Sequence, residues 1–168
     1  MIGNDVVDII QSRHESNWQR KGFIQKLFTI EEQSLISTDL NPEIMVWLLW
    51  SMKEAAYKIY NRQTKIREYI PKKLSCSLHL QNINYSTGQV NCGENIYYTK
   101  TTISKECIHT IAVNDPENFN YVTEIQNEGI IKDQYGIPHL HTPLSHLSHD
   151  VSISHHGSFE KVVCLLKT

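Results

Sequence analysis

Apolar and polar residues alternate over the first ten positions of the chain, MIGNDVVDII. Alternation with β-branched residues predicts a strand, in which successive side chains point to opposite faces. Asp5 then shares a face with Val7 and Ile9, and we expect that face to be buried. A carboxylate on a buried apolar face is uncommon. An exposed aspartate at the end of the strand is the ordinary alternative.

Two later segments show helical signals. In TIEEQSLIS, Thr29 and Glu32 have the spacing of a capping box, which predicts a short helix over residues 30–37. A longer helix is predicted over residues 42–61, because Asn41 can cap it and a proline follows at the first helical turn.

The longer predicted helix carries an apolar stripe. Its members recur at spacings of three and four residues and are Ile44, Trp47, Leu48, Ser51, Ala55 and Ile59. Glu54 lies beside this stripe, one helical turn before Lys58, so the two charged side chains can pair.

The sequence of the remainder of the chain predicts antiparallel strands. SCSLHLQNI, QVNCGENIYYTKTTI and CIHTIAV predict strands over residues 74–113, with turns at STG (86–88) and CGEN (92–95). After a polar connector at 114–120, a second β-rich block ends in a strand pair around VSISHHGSFEKVVCLL. Helices come early and strands late, so the expected fold class is α+β, with an antiparallel sheet packed against a few helices.

Composition narrows the functional classes. With 168 residues and 40% hydrophobic residues, the chain is long enough for a folded domain with a core. A net charge of −2 argues against a general nucleic-acid or membrane-surface binder. Four widely spaced cysteines suit a reducing compartment. We find no signal peptide and no apolar run approaching the ~18 residues of a membrane span, so we expect a cytoplasmic protein.

Asp5 and Glu54 are candidate metal ligands. Two carboxylates that lean toward the core from different elements must be neutralised or share a cation. Magnesium suits such a pair, because it binds through one or two carboxylates together with substrate phosphates. Lys53 and Lys58 would then bind those phosphates. A plain Glu–Lys pair on the helix surface is the structural alternative.

The C-terminal segment SISHHG offers an anion site, in which Ser154 and His155 donate hydrogen bonds. A structural Ser–His pair is the alternative. Histidines are also crowded here, since six of the nine fall at positions 139, 141, 146, 149, 155 and 156. A transition-metal site is one interpretation, because imidazole suits zinc, copper or nickel. Surface histidines without a shared ligand are the other.

Three segments resemble motifs of the 4′-phosphopantetheinyl transferase superfamily: IGNDVVDI, LWSMKEAAYK, and GIPHL followed by VSISHHGSF. They are similar, in order, to the G-x-D strand, the W/F-S-x-K-E-x-x-x-K helix, and the G-K-P-x-L…S-I-S-H segment that binds coenzyme A. The resemblance implies one transferase-like domain over residues 1–168. Residues 1–113 form the lobe with the first two motifs, and residues 121–168 form the strand-rich part with the third.

The resemblance implies a holo-acyl-carrier-protein synthase type of reaction. With Mg²⁺, the 4′-phosphopantetheine arm of coenzyme A passes to a serine of an apo acyl or peptidyl carrier protein, and 3′,5′-ADP leaves. Asp5 and Glu54 would be metal ligands, with Glu54 and Lys58 catalytic. The implied coenzyme A contacts are Lys53, Lys58, Pro138, His139, Ser154 and His155. A mildly acidic enzyme that meets acidic carrier proteins needs a local basic patch, for which the candidates are Arg13, Arg20, Lys21 and Lys26; a solvated face is the alternative.

The chain departs from the motifs at two positions. Val7 stands where large two-lobed members carry a third acid, and Ile137 stands where G-K-P has its lysine. A catalytically degenerate module that binds coenzyme A or a carrier protein is therefore the competing hypothesis. The order of the segments resembles a permuted and trimmed two-lobed enzyme. Either a monomer or a homo-oligomer, such as a trimer, fits this arrangement, with the site within one chain or between chains.

Overall fold

One strand and four helices open the described part of the chain, which in this computed structural model comprises residues 1–142 and 147–166. Strand β1 spans Ile2–Asp8. The helices are α1 (Ile9–Glu15), α2 (Phe23–Leu27), α3 (Ile30–Thr38) and α4 (Pro42–Thr64), and a short 3₁₀ helix follows later at Pro116–Tyr121. No helix in the described residues is both long and apolar enough to cross a membrane.

The described strands form two antiparallel sheets. In the first sheet, the order is β1-β5-β4-β3-β2, where β2 is Ser75–Gln81, β3 Tyr85–Cys92, β4 Asn95–Ile103 and β5 Cys107–Val113. In the second, it is β6-β10-β9-β8-β7, where β6 is Val122–Glu124, β7 Ile130–Lys132, β8 Pro138–Thr142, β9 Leu147–His156 and β10 Phe159–Leu165. The predicted α+β class is confirmed, with two sheets where one was expected.

Both helices predicted from capping residues in the sequence are confirmed. The capping box is present at the start of α3, where Glu32 Oε2 accepts from the Thr29 N–H at 2.8 Å and Thr29 Oγ1 accepts from the Glu32 N–H at 3.3 Å. Helix α4 begins at Pro42 as predicted. It continues to Thr64, three residues past the predicted end, and stops at Lys65, whose φ of 60° is left-handed.

The predicted turn at STG is wrong, because Gly88 lies inside strand β3. A Cβ at this position would lie 2.3 Å from the Ser77 carbonyl oxygen and 3.0 Å from the Met52 Cε. Glycine is therefore present for close packing against β2 and α4. The chain reverses instead before Tyr85, whose carbonyl accepts from the Asn82 N–H. The turn predicted at CGEN is confirmed, with Gly93 at a φ of 59°.

Strand β1 joins the two sheets. One edge of β1 pairs with β5, and the opposite edge faces β9. Three outward-facing N–H groups of β1 are satisfied by alternating side chains of β9: Asn4 by Ser152 Oγ (2.9 Å), Val6 by Ser154 Oγ (3.0 Å) and Asp8 by His156 Nδ1 (2.9 Å). The second sheet therefore binds β1 through side chains.

Helix α4 covers β1 from the other side. Gly3 lets the two backbones touch, because a Cβ there would lie 2.0 Å from the Ala55 carbonyl oxygen. Met52, Ile59 and Leu48 of α4 are fully buried in the main core. Both faces of β1 are consequently buried apart from partly exposed Asp5, whereas alternation predicted only one buried face.

We expect Ser152→Ala to destabilise the protein by about 1–3 kcal/mol, because it leaves the buried Asn4 N–H without its acceptor. Urea unfolding measures this change. The matched control is Ser148→Ala on the exposed part of the same strand, with an expected change within about 0.5 kcal/mol. Equal effects of the two substitutions would contradict the edge-capping role of Ser152.

Candidate active site

Asp5 sits where β1, α4 and β9 meet. Its Oδ1 accepts from Ser154 Oγ at 3.1 Å and lies 4.0 Å from Lys58 Nζ, and its backbone oxygen accepts from Ser51 Oγ at 3.3 Å. Burial raises the pKa of Asp5, and this effect outweighs the Lys58 charge and the Ser154 hydrogen bond, which lower it. Val7 is buried as the alternation predicted, whereas Ile9, which was placed on the same strand face, is buried as the first residue of helix α1.

Glu54 shares a cavity with Asp5. This acidic cavity, of about 250 Å³, is lined by both carboxylates together with Trp47, Trp50, Glu15, His155 and His156, among others. The Glu54 carboxylate makes no hydrogen bond or ion pair with any described residue. Burial, followed by the charge of Asp5, raises the pKa of Glu54 to about 7, while Lys58 opposes the shift. The acidic cavity therefore holds negative charge that the protein compensates only in part.

Lys58 does not form the predicted ion pair with Glu54. Its ammonium instead donates to the carbonyl oxygens of Asn4 at 2.6 Å and Ile153 at 3.0 Å, and it faces Asp5. Burial lowers the pKa of Lys58, with Asp5 and Glu54 opposing. Lys58 thereby links β1 to β9. Its positive charge lies between the acidic cavity and a second cavity, which is next along α4.

That next cavity is basic. It measures about 360 Å³ and is lined on the α4 side by Tyr57, Lys58, Asn61 and Arg62, and opposite by Lys132, Ile137, Pro138, Ser152 and His155, among others. His155 is exposed and lines both cavities. Two of the predicted coenzyme A contacts, Pro138 and His155, therefore lie in the same cavity as Lys58.

Arg62 was missed by the sequence analysis. Its guanidinium donates to Asp150 Oδ1 at 3.0 Å and to the carbonyl oxygens of Pro138 at 3.1 Å and Val151 at 2.6 Å. It therefore holds β8 and β9 against α4 and forms one wall of the basic cavity. Its position one helical turn after Lys58 was the available signal.

Ser154 supports the site from behind. Its hydroxyl accepts from the Val6 N–H and donates to Asp5, and the residue is 6% exposed. Ser154 therefore fixes the orientation of the Asp5 carboxylate.

The position of His139 does not support the coenzyme A contact predicted for it. This side chain does not line the basic cavity, and its ring lies edge-on to His141, with centroids 6.1 Å apart.

Lys53 lies in the core. Its ammonium pairs with Glu32 at 2.8 Å and donates to the carbonyl oxygens of Pro71 and Leu74, and both charged side chains are almost completely buried, at 1% and 0% exposed. Glu32 also accepts from the Cys76 N–H. These contacts use all three ammonium protons, so Lys53 has none left for the coenzyme A contact that the sequence predicted.

Asp8 and His156 complete the joint between β1 and β9. Asp8 caps α1 by accepting from the Gln11 N–H at 2.9 Å, and it also accepts from the Ser158 N–H at 3.0 Å. Because His156 Nδ1 accepts from the Asp8 N–H, its Nε2 carries the proton and donates to Glu15, 3.0 Å away. The sequence analysis considered His156 only as part of a transition-metal site, whereas here both ring nitrogens have protein partners.

The predicted carrier-protein contacts lie apart from the two carboxylates. Arg13 makes a bidentate ion pair with Glu43, at 2.7 Å for the closest pair of atoms. Arg20 lies over the Phe23 ring at 5.4 Å, next to exposed Lys21. Lys26, the fourth, lies over the Tyr69 ring at 5.8 Å, and none of the four lines a cavity that contains Asp5 or Glu54.

The donor set of the acidic cavity fits magnesium. No group of three or more His, Cys, Asp or Glu side chains in the described residues is arranged to hold a metal, and this includes the described histidines near the C-terminus. His146 lies outside the described residues. Magnesium requires only one or two carboxylates when substrate phosphates and water complete its shell. Asp5 and Glu54 supply two, in a site where burial leaves their negative charge poorly compensated.

A family model described as the 4′-phosphopantetheinyl transferase superfamily matches residues 1–112. The chain belongs to this superfamily. The match covers two thirds of the 168 residues and includes Asp5, Glu54 and Lys58. Membership indicates a transferase, with coenzyme A as substrate and a carrier protein as partner. No curated protein matches the chain.

We expect Lys53→Met to destabilise the protein by about 3–5 kcal/mol, because it leaves the Glu32 carboxylate buried without its cation. The midpoint of urea unfolding measures the loss. Lys105→Met, at an exposed position, is the control and should change stability little. A normal midpoint for the Lys53 variant, together with weakened coenzyme A binding, would instead support the ligand contact predicted from the sequence.

We expect Glu54→Gln to stabilise the metal-free protein at about pH 8 by about 1–3 kcal/mol. The pKa of Glu54 is about 7 in the folded chain against an ordinary 4.5, so the folded state holds a proton that the unfolded state has lost between these values. Wild-type stability therefore falls as pH rises through this window, and glutamine removes the loss. Thermal unfolding at several pH values measures the difference, which should vanish near pH 4.5.

The control for this substitution is Glu94→Gln, at an exposed turn position, which should show no such pH dependence. Adding Mg²⁺ should raise the melting temperature of the wild type and of the Glu94 variant, but not that of Glu54→Gln, because a ligand stabilises the state that binds it. Equal Mg²⁺ responses of all three proteins would remove Glu54 from the metal site.

Proposed function

We propose that this protein transfers the 4′-phosphopantetheine arm of coenzyme A to a serine of an apo acyl or peptidyl carrier protein, in the presence of Mg²⁺, with release of 3′,5′-ADP. The observation that carries this proposal is the Glu54 carboxylate, buried beside Asp5 without a partner among the described residues. A carboxylate poised near neutral pH next to a cavity is the arrangement that acid–base catalysis requires.

Glu54 accepts the proton of the attacking serine, directly or through one water. The serine oxygen then forms a bond to the phosphorus that bears the pantetheine arm, and the bond from that phosphorus to the bridging pyrophosphate oxygen breaks. The leaving 3′,5′-ADP takes the electron pair of that bond. Lys58 lies between the acidic and basic cavities, where its charge stabilises the negative oxygens.

Asp5 and Glu54 would hold the magnesium ion. When bound, it supplies charge neutralisation at the pyrophosphate oxygens. Ser154 keeps the Asp5 carboxylate oriented, and Ser51 holds the β1 backbone beneath it. The protein therefore contributes mainly position and charge, as phosphoryl transfer requires.

The basic cavity is the place for the nucleotide end of coenzyme A. Lys58, Lys132 and exposed His155 can bind its phosphates, while Arg62 keeps the wall in place. Ile137 lines this cavity where the motif has a lysine, so the lining lacks one cation of the G-K-P pattern. Lys132 contributes a positive charge to the same cavity.

One chain supplies both halves of this site. Glu54 and Lys58 come from the predicted lobe at 1–113, whereas Pro138 and His155 come from the strand-rich part at 121–168. This supports a single functional domain that works as a monomer, or within a homo-oligomer whose chains each hold a complete site. We further propose that the protein works in the cytoplasm.

The test is mass spectrometry of apo carrier proteins incubated with coenzyme A and Mg²⁺, which should gain the mass of the phosphopantetheine arm. We expect Glu54→Gln and Lys58→Met each to lower kcat/KM by a factor of about 10²–10³. Glu94→Gln should leave it unchanged.

No modification of fatty-acid, polyketide or peptide-synthesis carriers would contradict the transferase. Calorimetry then tests the competing hypothesis, in which the protein is a module that binds coenzyme A or a carrier protein without turnover. Such a module, in which Val7 and Ile137 mark lost function, would bind coenzyme A equally well with and without Mg²⁺.

A further inference from the structure

A basic surface follows helix α4 at residues 65–73, KIREYIPKK, here named the basic loop. Two large apolar side chains in the basic loop are exposed, Ile66 at 54% and Tyr69 at 65%. They stand among exposed cations, namely Lys65, Arg67, Lys72 and Lys73 of the loop and Lys26, whose ammonium lies over the Tyr69 ring at 5.8 Å. Exposed aromatic and apolar groups ringed by charge are typical of a protein-binding surface.

The basic loop is anchored to helix α4 by hydrogen bonds. The Glu68 N–H donates to Tyr57 Oη at 2.9 Å, and Asn61 Nδ2 donates to the Ile66 carbonyl oxygen at 2.8 Å. Lys53 binds the Pro71 carbonyl oxygen at 2.7 Å. All three anchors come from α4, the helix that carries Glu54. A surface fixed in this way loses little conformational freedom when a partner binds.

Positive charge on the basic loop is only partly compensated, and Lys65 is one of the cations with an acidic partner, at 3.6 Å from Asp133. The one acid of the loop, Glu68, accepts from Tyr60 Oη at 2.6 Å and lies 3.8 Å from Lys73. Arg67 donates to a carbonyl oxygen, that of Tyr135, and so keeps its charge. Lys72 makes no ion pair with any described residue. On a chain with a net charge of −2, this surface is locally positive and complements an acidic partner.

A cavity connects the basic loop to the proposed catalytic carboxylate. It measures about 330 Å³ and is lined by Glu54 and Tyr57 of α4 and by Arg67, Tyr69, Ile70 and Pro71 of the loop, among others. Burial raises the pKa of Tyr69, and the charge of Glu54 adds to that shift, so the two groups are near each other. Glu54 is therefore accessible from the basic loop as well as from the acidic cavity.

We propose that the basic loop is the docking surface for an acidic protein surface that presents a serine, and that the serine reaches Glu54 through this cavity. The inference rests on the proposed function. The proposed surface shares Lys26 with the carrier contacts predicted from the sequence but not the others, because Arg13 is neutralised by Glu43 and Arg20 lies over Phe23. The predicted residues line no cavity with Glu54, whereas Arg67 does.

The experiment compares Arg67→Glu/Lys72→Glu and the single variant Lys72→Glu with a matched reversal elsewhere, Arg20→Glu/Lys21→Glu. For the double loop variant, we expect KM for an apo acyl carrier protein to rise about tenfold or more, while KM for coenzyme A changes less than about twofold. Lys72→Glu should show part of this rise, and the Arg20/Lys21 variant should resemble the wild type. Added salt should weaken carrier-protein binding by the wild type more than binding by the loop variants.

A binding measurement without turnover separates this inference from the proposed function. Calorimetry uses an apo acyl carrier protein whose acceptor serine is changed to alanine, and circular dichroism establishes that each variant is folded. Binding lost in the loop variants supports the docking surface even if no transfer occurs. Wild-type affinity in the loop variants would overturn it, as would a loss confined to the Arg20/Lys21 variant. Loop-dependent binding of duplex DNA, with carrier affinity unchanged, would also overturn it.

Discussion

The free edge of strand β1 constrains the arrangement of the whole molecule. An edge strand buried between a helix and a second sheet must still satisfy its N–H groups. Here hydroxyl and imidazole side chains of β9 accept from β1, through Ser152, Ser154 and His156. This side-chain pairing brings distant parts of the chain together at one strand. Asp5 lies at the centre of that strand, and Ser154, which accepts from the edge, also donates to its carboxylate.

Charged groups whose ionised forms are disfavoured by burial are concentrated around the same strand. Burial raises the pKa values of Asp5 and Glu54, and the ammonium of Lys58, whose pKa burial lowers, is shared with two backbone carbonyl groups. Stability alone favours neutral or fully paired groups at such positions. Carboxylates that are only partly compensated beside a cavity therefore carry a cost in the free energy of folding, and the proposed binding of a cation there would offset it.

The three cationic side chains of α4 have different roles, because each contacts a different part of the structure. Lys53 faces the core and pairs with Glu32. Lys58 faces the junction of β1 and β9 and keeps part of its surface open to ligands, at 32% exposed. Arg62 binds the second sheet through Asp150 and two carbonyl oxygens. One helix thus joins the core, the site and the second sheet, and the basic loop continues from its end.

The strand β1, the capping box of α3 and the start of α4 were predictable from the sequence, because interactions between neighbours along the chain determine them. Glu32, which fixes the role of Lys53, is 21 positions away along the chain, and Ser154 meets Asp5 across 149 positions. Periodicity carries no information about such partners. Only the tertiary structure decided which charges are paired, which cavity each side chain faces, and that Glu54 and Lys58 remain apart, because these depend on long-range packing.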